Sequence, residues 1–548
     1  MKLETFFENF ELLTDAPKAV STLQKIILQL AVMGKLVPNN TNDSQVPLKL
    51  EEFVDKKNRN KNIAQLKNDE YPFYVHINWQ WQRLNNLGKT QTGTTPATSN
   101  PDFYGNDYSF IKPADISFSD IRYNVEGLSE EGVKNGRLVP KNSVLMVSIG
   151  GSIGKVGLVD RDCSCNQQIN YITLKEQILP KLIYYFLKSP YFQQQVLLLA
   201  PTTTMPILSK GKWDTIPIPV PPLAEQKRIV EKCDRLLSIC DEIEKRQQQR
   251  QDSILRMNES AIAQLLSSQN PDDFCQHWQR ICNNFDLLYS VPETIPKLRQ
   301  AILQLAVQGK LVRQDPNDEP AQELLNKIKS DQDKSLPSIS SEEIPFDLPH
   351  GWIFARLGNL IEPSRDITYG IIKLGLEPTE DGVKTLRCSD ILYRRINNSN
   401  IRSVTRDLSE QYSRTIIQGG ELLMNIRGTL GGCAIATEEY KGCNIAREVA
   451  MIPISHHISN LYILDVISSP FIQIKTMQNL RGIAYKGLNL NLLRMFVIPL
   501  PPLAEQKRIV EKCDRLMSLC DTLEAKLKQG RDSSEKLMEV AAKQVLTA

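Results

Sequence analysis

Apolar residues step by four and three through two long stretches of this chain. In the first, Ile229, Cys233, Leu236, Cys240 and Ile243 follow at that spacing, and the stripe resumes at Ile254, Met257 and Ala261, with Gln247 and Arg250 as polar layers between. In the second, Ile509, Cys513, Leu516, Cys520 and Leu523 lead on to Leu527, Ser534, Leu537 and Ala541. A 4-3 alternation is the pattern of a coiled-coil seam. Both stretches open behind a proline pair, Pro221-Pro222 and Pro501-Pro502, where the missing amide hydrogens would have had no helical partner anyway. Each helix is predicted to run about 45 residues, ~65 Å at ~1.5 Å per residue. A lone stripe could bury itself in a globular core. Two of matching length lead to the expectation of mutual, antiparallel packing.

The same sixteen residues, PPLAEQKRIVEKCDRL, occupy 221–236 and 501–516. Further echoes order the chain. NFELL at 9–13 matches NFDLL at 284–288, and LQKIILQLAVMGKLV at 23–37 matches LRQAILQLAVQGKLV at 298–312. QDSILRMNESAIAQLL from Gln251 resembles RDSSEKLMEVAAKQVL from Arg531. One copy of the block is continuous, from Pro221 to Val312. The other is split: its first part is 501–548 and its second part is 1–37. The simplest account is a pseudo-two-fold ring, cut once in one of two equivalent connectors.

Between these blocks lie two variable regions, 71–220 and 345–500, preceded by polar linkers at 38–70 and 313–344. Each opens on a similar phrase, INWQWQRLNNLG or HGWIFARLGNLI, and carries a strand ending in Asp-Ile. Each then runs an apolar strand into glycines, VLMVSIGGSIG or ELLMNIRGTLG, and ends near SPYF or SPFI. β-branched runs broken by Gly, Asn and Pro predict mixed α/β domains with substantial sheet. The expected fold class is therefore α+β. Two mixed α/β domains related by pseudo-two-fold symmetry are joined by long antiparallel coiled-coil helices. The segments are 1–37 (helical, packing with the C-terminal helix), 221–312 (central helical region) and 501–548 (C-terminal helix).

Composition narrows the class without deciding it. The chain has 548 residues, 41% of them apolar, and a formal net charge of +3. No apolar run approaches a membrane span and no secretion signal opens the chain, so a cytoplasmic protein is expected. The eleven cysteines are scattered, and the closest pair, Cys163 and Cys165, lacks a second pair at zinc spacing, so buried free thiols are expected and no metal. Region one holds 14 Lys and Arg against 11 Asp and Glu, and region two 17 against 14. Any contact with nucleic acid must come from local patches.

Two such patches stand out. In region two, ILYRRINNSNIRSVTR carries Tyr393, Arg394, Arg395, Asn397, Arg402 and Arg406 with no acid among them. Arg, Asn and Tyr suit phosphates and base edges, although a solvated loop would read the same way. In region one, GKTQTGTTPATSN offers Lys89, Gln91, Thr92 and Thr94, expected on a flexible strand-end loop, or else on a simple turn. The glycine stretches GGSIGK and GTLGGC are read as strand turns, and Lys155 or Arg427 beside them would be available to a phosphate. No catalytic set is expected. GGSIGK is one residue short of a phosphate loop and has Val156 where a Ser or Thr would hold magnesium. Asn100-Pro101-Asp102-Phe103 only approximates the motif of adenine methyltransferases, and the five histidines form no HExxH.

The paired PPLAEQKRIV helix starts, the ILQLAVQGKLV helices, the EPAQELLNKIK-to-EEIPFDLPHGW connection and the TGTTPATSNPDFYG…FIKPADI opening resemble the specificity subunit of type I restriction–modification systems. The resemblance spans nearly the whole chain. It departs at DITYGIIKLGLEPTEDGVKTLR in region two. It implies two target-recognition domains, each reading half of a bipartite site in double-stranded DNA. It implies helices that set the spacer and dock two modification subunits. Those partners would bind S-adenosylmethionine and methylate adenine, and restriction subunits would add an ATP- and Mg-dependent translocating nuclease. This chain would itself carry no cofactor. The rivals are a stand-alone DNA adenine methyltransferase and a coiled-coil scaffold that reads no sequence.

Overall fold

The computed structural model describes residues 18–40, 43, 71–117, 120–200, 205–329, 336–344, 346–428, 431–480 and 487–547. The NFELL segment at 9–13 and most of the 38–70 linker lie outside these residues. The chain forms two compact units: residues 1–250 with 530–548, and residues 251–529.

Unit one is built on a four-stranded antiparallel sheet. Its strands are β1 (Gln80–Arg83), β2 (Gly88–Thr92), β3 (Tyr104–Ile111), β4 (Gly127–Leu128), β5 (Val144–Val147), β6 (Val156–Leu158), β7 (Ser164–Cys165), β8 (Ile169–Leu174) and β9 (Pro217–Val220). The main sheet has the order β2-β8-β5-β6, a second sheet the order β4-β3-β7, and β1 pairs with β9. Period-two alternation assigns the two faces. Val144, Met146 and Ile172 point into a core shared with helices Ala19–Val32 and Pro180–Lys188. Leu145, Val147 and Tyr171 point the other way, into a core with Ile111, Val139 and Cys165.

Unit two repeats the plan. Its strands are β10 (Ile353–Arg356), β11 (Thr368–Tyr369), β12 (Val383–Leu386), β13 (Ile391–Leu392), β14 (Arg395–Ile396), β15 (Arg402–Val404), β16 (Leu422–Asn425), β17 (Cys433–Ile435), β18 (Asn444–Ile445), β19 (Val449–Ile452) and β20 (Val497–Leu500). The sheets run β11-β19-β16-β17 and β15-β12-β18, and β10 pairs with β20. In both units the small sheet contains one parallel pair, β3 with β7 and β12 with β18. Leu422, Met424 and Ile452 face the helical core, while Leu423, Val449 and Met451 face the small sheet.

The repeated phrases now have physical reasons. The glycine of each GKLV ending sits at positive φ, 71° at Gly34 and 68° at Gly309. There Lys35 N–H reaches Leu30 O and Lys310 N–H reaches Leu305 O, both at 2.9 Å, closing the helix. A Cβ at either glycine would also press on an indole, Trp79 or Trp352. The glutamine of ILQLAV accepts the first free amide of the SPYF or SPFI helix: Gln29 Oε1 from Tyr191 N at 2.8 Å, Gln304 Oε1 from Phe471 N at 3.1 Å. In PLAEQ, Glu225 Oε2 accepts from Trp79 Nε1 at 3.1 Å and Glu505 Oε2 from Trp352 Nε1 at 2.9 Å. Gln226 Oε1 accepts from Leu179 N at 2.9 Å, and Gln506 Oε1 from Ser459 N at 3.0 Å. Each helix start is thereby clipped to its own domain.

The long helices span Leu223–Leu266 and Leu503–Thr547. Their first stripes have an unexpected partner. Ile229, Cys233 and Cys240 are buried in the core of unit one, with Leu236 and Ile243 at its margin. Lys181 ion-pairs with Asp234 at 2.7 Å, Tyr185 Oη donates to the same carboxylate, and Gln24 Nε2 reaches Asp241 at 3.3 Å. Ile509, Cys513 and Cys520 are buried likewise in unit two, with Leu516 and Leu523 at the margin. A coiled-coil reading of these stripes therefore omitted their cover, the domain's own helices, because spacing records that a face is apolar and not what lies on it. Each unit also takes in a piece of the other long helix: Met538, Ala541 and Ala542 in unit one, Leu265 in unit two.

Candidate nucleic-acid interface

Strand register brings Thr92, Thr94 and Lys155 to one end of the main sheet of unit one, and Arg427 to the matching end in unit two. In unit one, Thr92, Asn170, Met146 and Val156 form a row across the sheet. Beyond it lie Thr94, the turn ending at Lys155, and the Asn166–Gln168 turn. Thr94 N–H donates to Cys165 O and Ser148 N–H to Gln168 O. Thr92 Oγ1 donates to Asn170 at 2.8 Å and Gln91 Oε1 accepts from Tyr171 Oη at 3.2 Å. Arg137 Nη1 donates to Thr92 O at 2.6 Å. Thr95 hydroxyl donates to the exposed Gln167.

The stretch 88–92 is an edge strand, not the flexible loop expected from its composition. Its Thr, Gln and Gly content reads as loop, but its pairing with β8 fixes it. Lys89 pairs with Thr173, three rows back toward the other end, so it stands apart from Thr92, Thr94 and Lys155. Gly93 ends the strand where a Cβ would strike Cys165 O and Asn166 O at 2.3 Å.

Unit two has the same row: Tyr369, Ala450, Met424 and Cys433. Gly370 takes the role of Gly93, since a Cβ there would lie 1.7 Å from Ile445 O. The opening that departs from the first region's text thus makes the same turn. Arg427 follows β16 at this end, exposed, bridged through its backbone to Gly487. Arg447 and Glu448 form the neighbouring turn: Arg447 N–H donates to Ile371 O and Ile426 N–H to Glu448 O, both at 2.9 Å.

The arginine-rich patch 391–406 is divided by the fold. Arg394, at φ 56°, turns inward. Its Nη2 lies 2.7 Å from Asp514 and 3.4 Å from Asp465, whose side chain is 1% exposed. Burial pushes the Asp465 carboxyl up to about 7, against the pull of Arg394. Arg394 is therefore an internal ion-pair partner, a correction to its reading as a DNA contact; its acids are 71 and 120 residues away in sequence. Arg402 is also engaged, donating to Gly375 O from β15. Tyr393, Arg395 and Asn397 remain exposed on the β13–β14 hairpin, with Asn397 Oδ1 accepting from Ser399 N at 3.2 Å. Arg406 is exposed, 3.8 Å from Asp381.

Sequence reasoning missed Arg137, Gln167, Tyr369, Arg447 and Glu448. Within each unit, Arg137 and Gln167 in one and Tyr369, Arg447 and Glu448 in the other, these residues reach the sheet end only through tertiary folding. Among the described residues no group of three His, Cys, Asp or Glu could hold a metal ion, and no helix is long and apolar enough to cross a membrane.

The family described as type I restriction modification DNA specificity domain matches residues 76–251 and 372–530. The chain is similar to the specificity subunits of the type I restriction enzymes EcoAI and EcoEI of Escherichia coli. Each is 26% identical, with 94% of this chain and 92% of the relative covered. A solved chain from work on complex assembly and conformational transition of the type I R-M system shares the fold. It has a TM-score of 0.53 at 16% identity, covering 87% of this chain and 99% of that one. Relatives of this length are named for specificity and not for catalysis, and the chain belongs to the family of type I restriction–modification DNA specificity subunits.

Proposed function

We propose that each unit reads one half of a bipartite site in double-stranded DNA, using the sheet end that carries Thr92, Thr94 and Lys155 in one unit and Tyr369, Arg427 and Arg447 in the other. The observation behind this reading is the pairing of one strand framework with unlike side chains at equivalent rows. That is what two readers of different texts require. Phosphate contacts fix register and base edges carry sequence, so Lys155 would position and the neighbouring Thr and Gln side chains would discriminate.

The two long helices, in this reading, lie antiparallel about a pseudo-two-fold axis and set the spacer between half-sites. Two modification subunits dock on the helical region, bring S-adenosylmethionine, and methylate an adenine in each half. Such chemistry needs the base taken out of the stack, which suits a frame that holds both half-sites. Restriction subunits, with ATP and Mg, complete the assembly.

The test exchanges residues 345–500 for the corresponding domain of another family member, in cells carrying the modification subunits, and maps methylated adenines across the genome. One half-site is expected to change while the other stays. A change in both halves would overturn the modular reading.

A further inference from the structure

The two sheet ends differ in chemistry at matched positions. Register aligns Ile149 with Arg427, each two residues past the end of β5 or β16. It aligns Gln167 with Arg447 and Gln168 with Glu448, each pair standing just before β8 or β19. Beside Ile149 lies Ile207, its bridge partner. The place of Ile207 in unit two is taken by Gly487, bridged to Arg427. A Cβ at Gly487 would lie 2.9 Å from Arg427 Nε, so the glycine makes room for the guanidinium. At these matched positions unit one therefore presents aliphatic groups, an amide and hydroxyls, with Lys155 and the Thr92-bound Arg137 as its nearby cations. Unit two presents two guanidinium groups, a carboxylate and a tyrosine.

Several arginines of unit two are engaged internally, while Arg395 and Arg414 are also exposed with no side-chain partner among the described residues. Arg356, Arg365, Arg387, Arg394 and Arg494 are held by carboxylates of their own unit. Arg427 and Arg447 have no side-chain hydrogen bond or ion pair among the described residues, and both are exposed. Guanidinium groups left unpaired at the end of the central strands are available to a ligand.

In the major groove, guanine offers O6 and N7 to a bidentate Arg, and cytosine N4 donates to a carboxylate. Adenine suits Gln or Asn, and the thymine methyl suits an apolar contact. We infer that unit two reads a G·C pair through Arg427, Arg447 and Glu448, whereas unit one reads A·T pairs through Gln167 and the Ile149–Ile207 surface. This inference rests on each unit reading one half-site and names the base class for each.

The experiment maps methylated adenines in cells carrying this chain with its modification subunits, and uses the 345–500 exchange to assign the halves. The half of unit two should hold at least one G·C pair, and that of unit one A·T pairs. Arg427→Gln with Arg447→Gln should broaden the preference at that G·C pair and leave the other half unchanged. A unit-two half made of A·T pairs alone, or an unaltered motif in the double variant, would refute the assignment. Should the double variant methylate nothing, the unaltered complex is tested on the mapped duplex with 7-deazaguanine, which lacks N7. Binding about ten-fold weaker or more is expected there, and equal binding refutes the assignment. A map with no bipartite motif would instead sink the two-reader proposal itself.

Discussion

Arg394 shows how far a single residue can mislead. It sits in the most basic stretch of region two, yet its guanidinium serves Asp465 and Asp514. Removing one partner of a buried pair leaves the other charge uncompensated, typically at ~3–5 kcal/mol. Arg394→Ala should fall at the lower end of that range, because Asp465 can take up a proton. The variant should unfold at lower urea; a loss of DNA affinity at unchanged stability would show that Arg394 reads DNA after all. Asp465 makes a second prediction. Its folded value of about 7 lies above the ordinary 3.8, so between those pH values the folded state holds a proton that the unfolded chain has lost. Its contribution to stability is complete below about 4 and is lost as pH rises to about 7. Asp465→Asn stays neutral throughout. The stability of the variant relative to the wild type should therefore climb across that window and level off above it. Urea midpoints from pH 4 to 8 would show this, and a flat difference would be the contrary result. Lys155 and Arg427 were legible as exposed cations beside glycine turns, since glycine and charge are local signals. Arg394, Arg447 and Gln167 were not, because their surroundings are assembled from distant strands.

At the scale of elements, the repeated phrases were legible as helix starts and stops, but their buried polar residues were not. Proline pairs and a terminal GKLV announce helix ends in any chain. That the Glu of PLAEQ would meet an indole 146 residues away in one unit and 153 in the other is tertiary information. So too with Gln226, fully buried, which takes the Leu179 amide and donates to Gln177 O and Pro221 O at 3.1 Å. Gln226→Ala would leave that amide and those carbonyls without partners, at about 1–3 kcal/mol. The expected result is a lowered thermal midpoint; a wild-type midpoint would mean that the clip adds nothing. The edge strand Gly88–Thr92 was misread for the complementary reason. A polar edge strand resembles a loop until its neighbour is known, and natural sheets keep edges polar to avoid pairing with other chains.

At the scale of the whole molecule, the circular order of the repeats was the strongest sequence signal. It led to the expectation of a ring, and in unit one the helix Ala19–Val32 shares a core with Met538, Ala541 and Ala542. What it left open was how the helices are covered. The proposed spacing role yields a measurable length. Inserting seven residues near Gln247, matched by seven near Leu527, adds ~10 Å of helix. At ~3.4 Å per base pair, that should lengthen the spacer in the methylation map by about three base pairs with both half-sites intact. An unchanged spacer would remove the helices from that role.

Met538, Ala541 and Ala542 lie in the core of unit one, although every residue of unit two precedes them on the ribosome. The first domain to be translated is thus the last that can be finished. A stop codon or a protease cut shortly before residue 530 would spare the later domain and cripple the earlier one. Under the proposed two-reader function, damage near residue 540 would then surface as lost recognition by unit one.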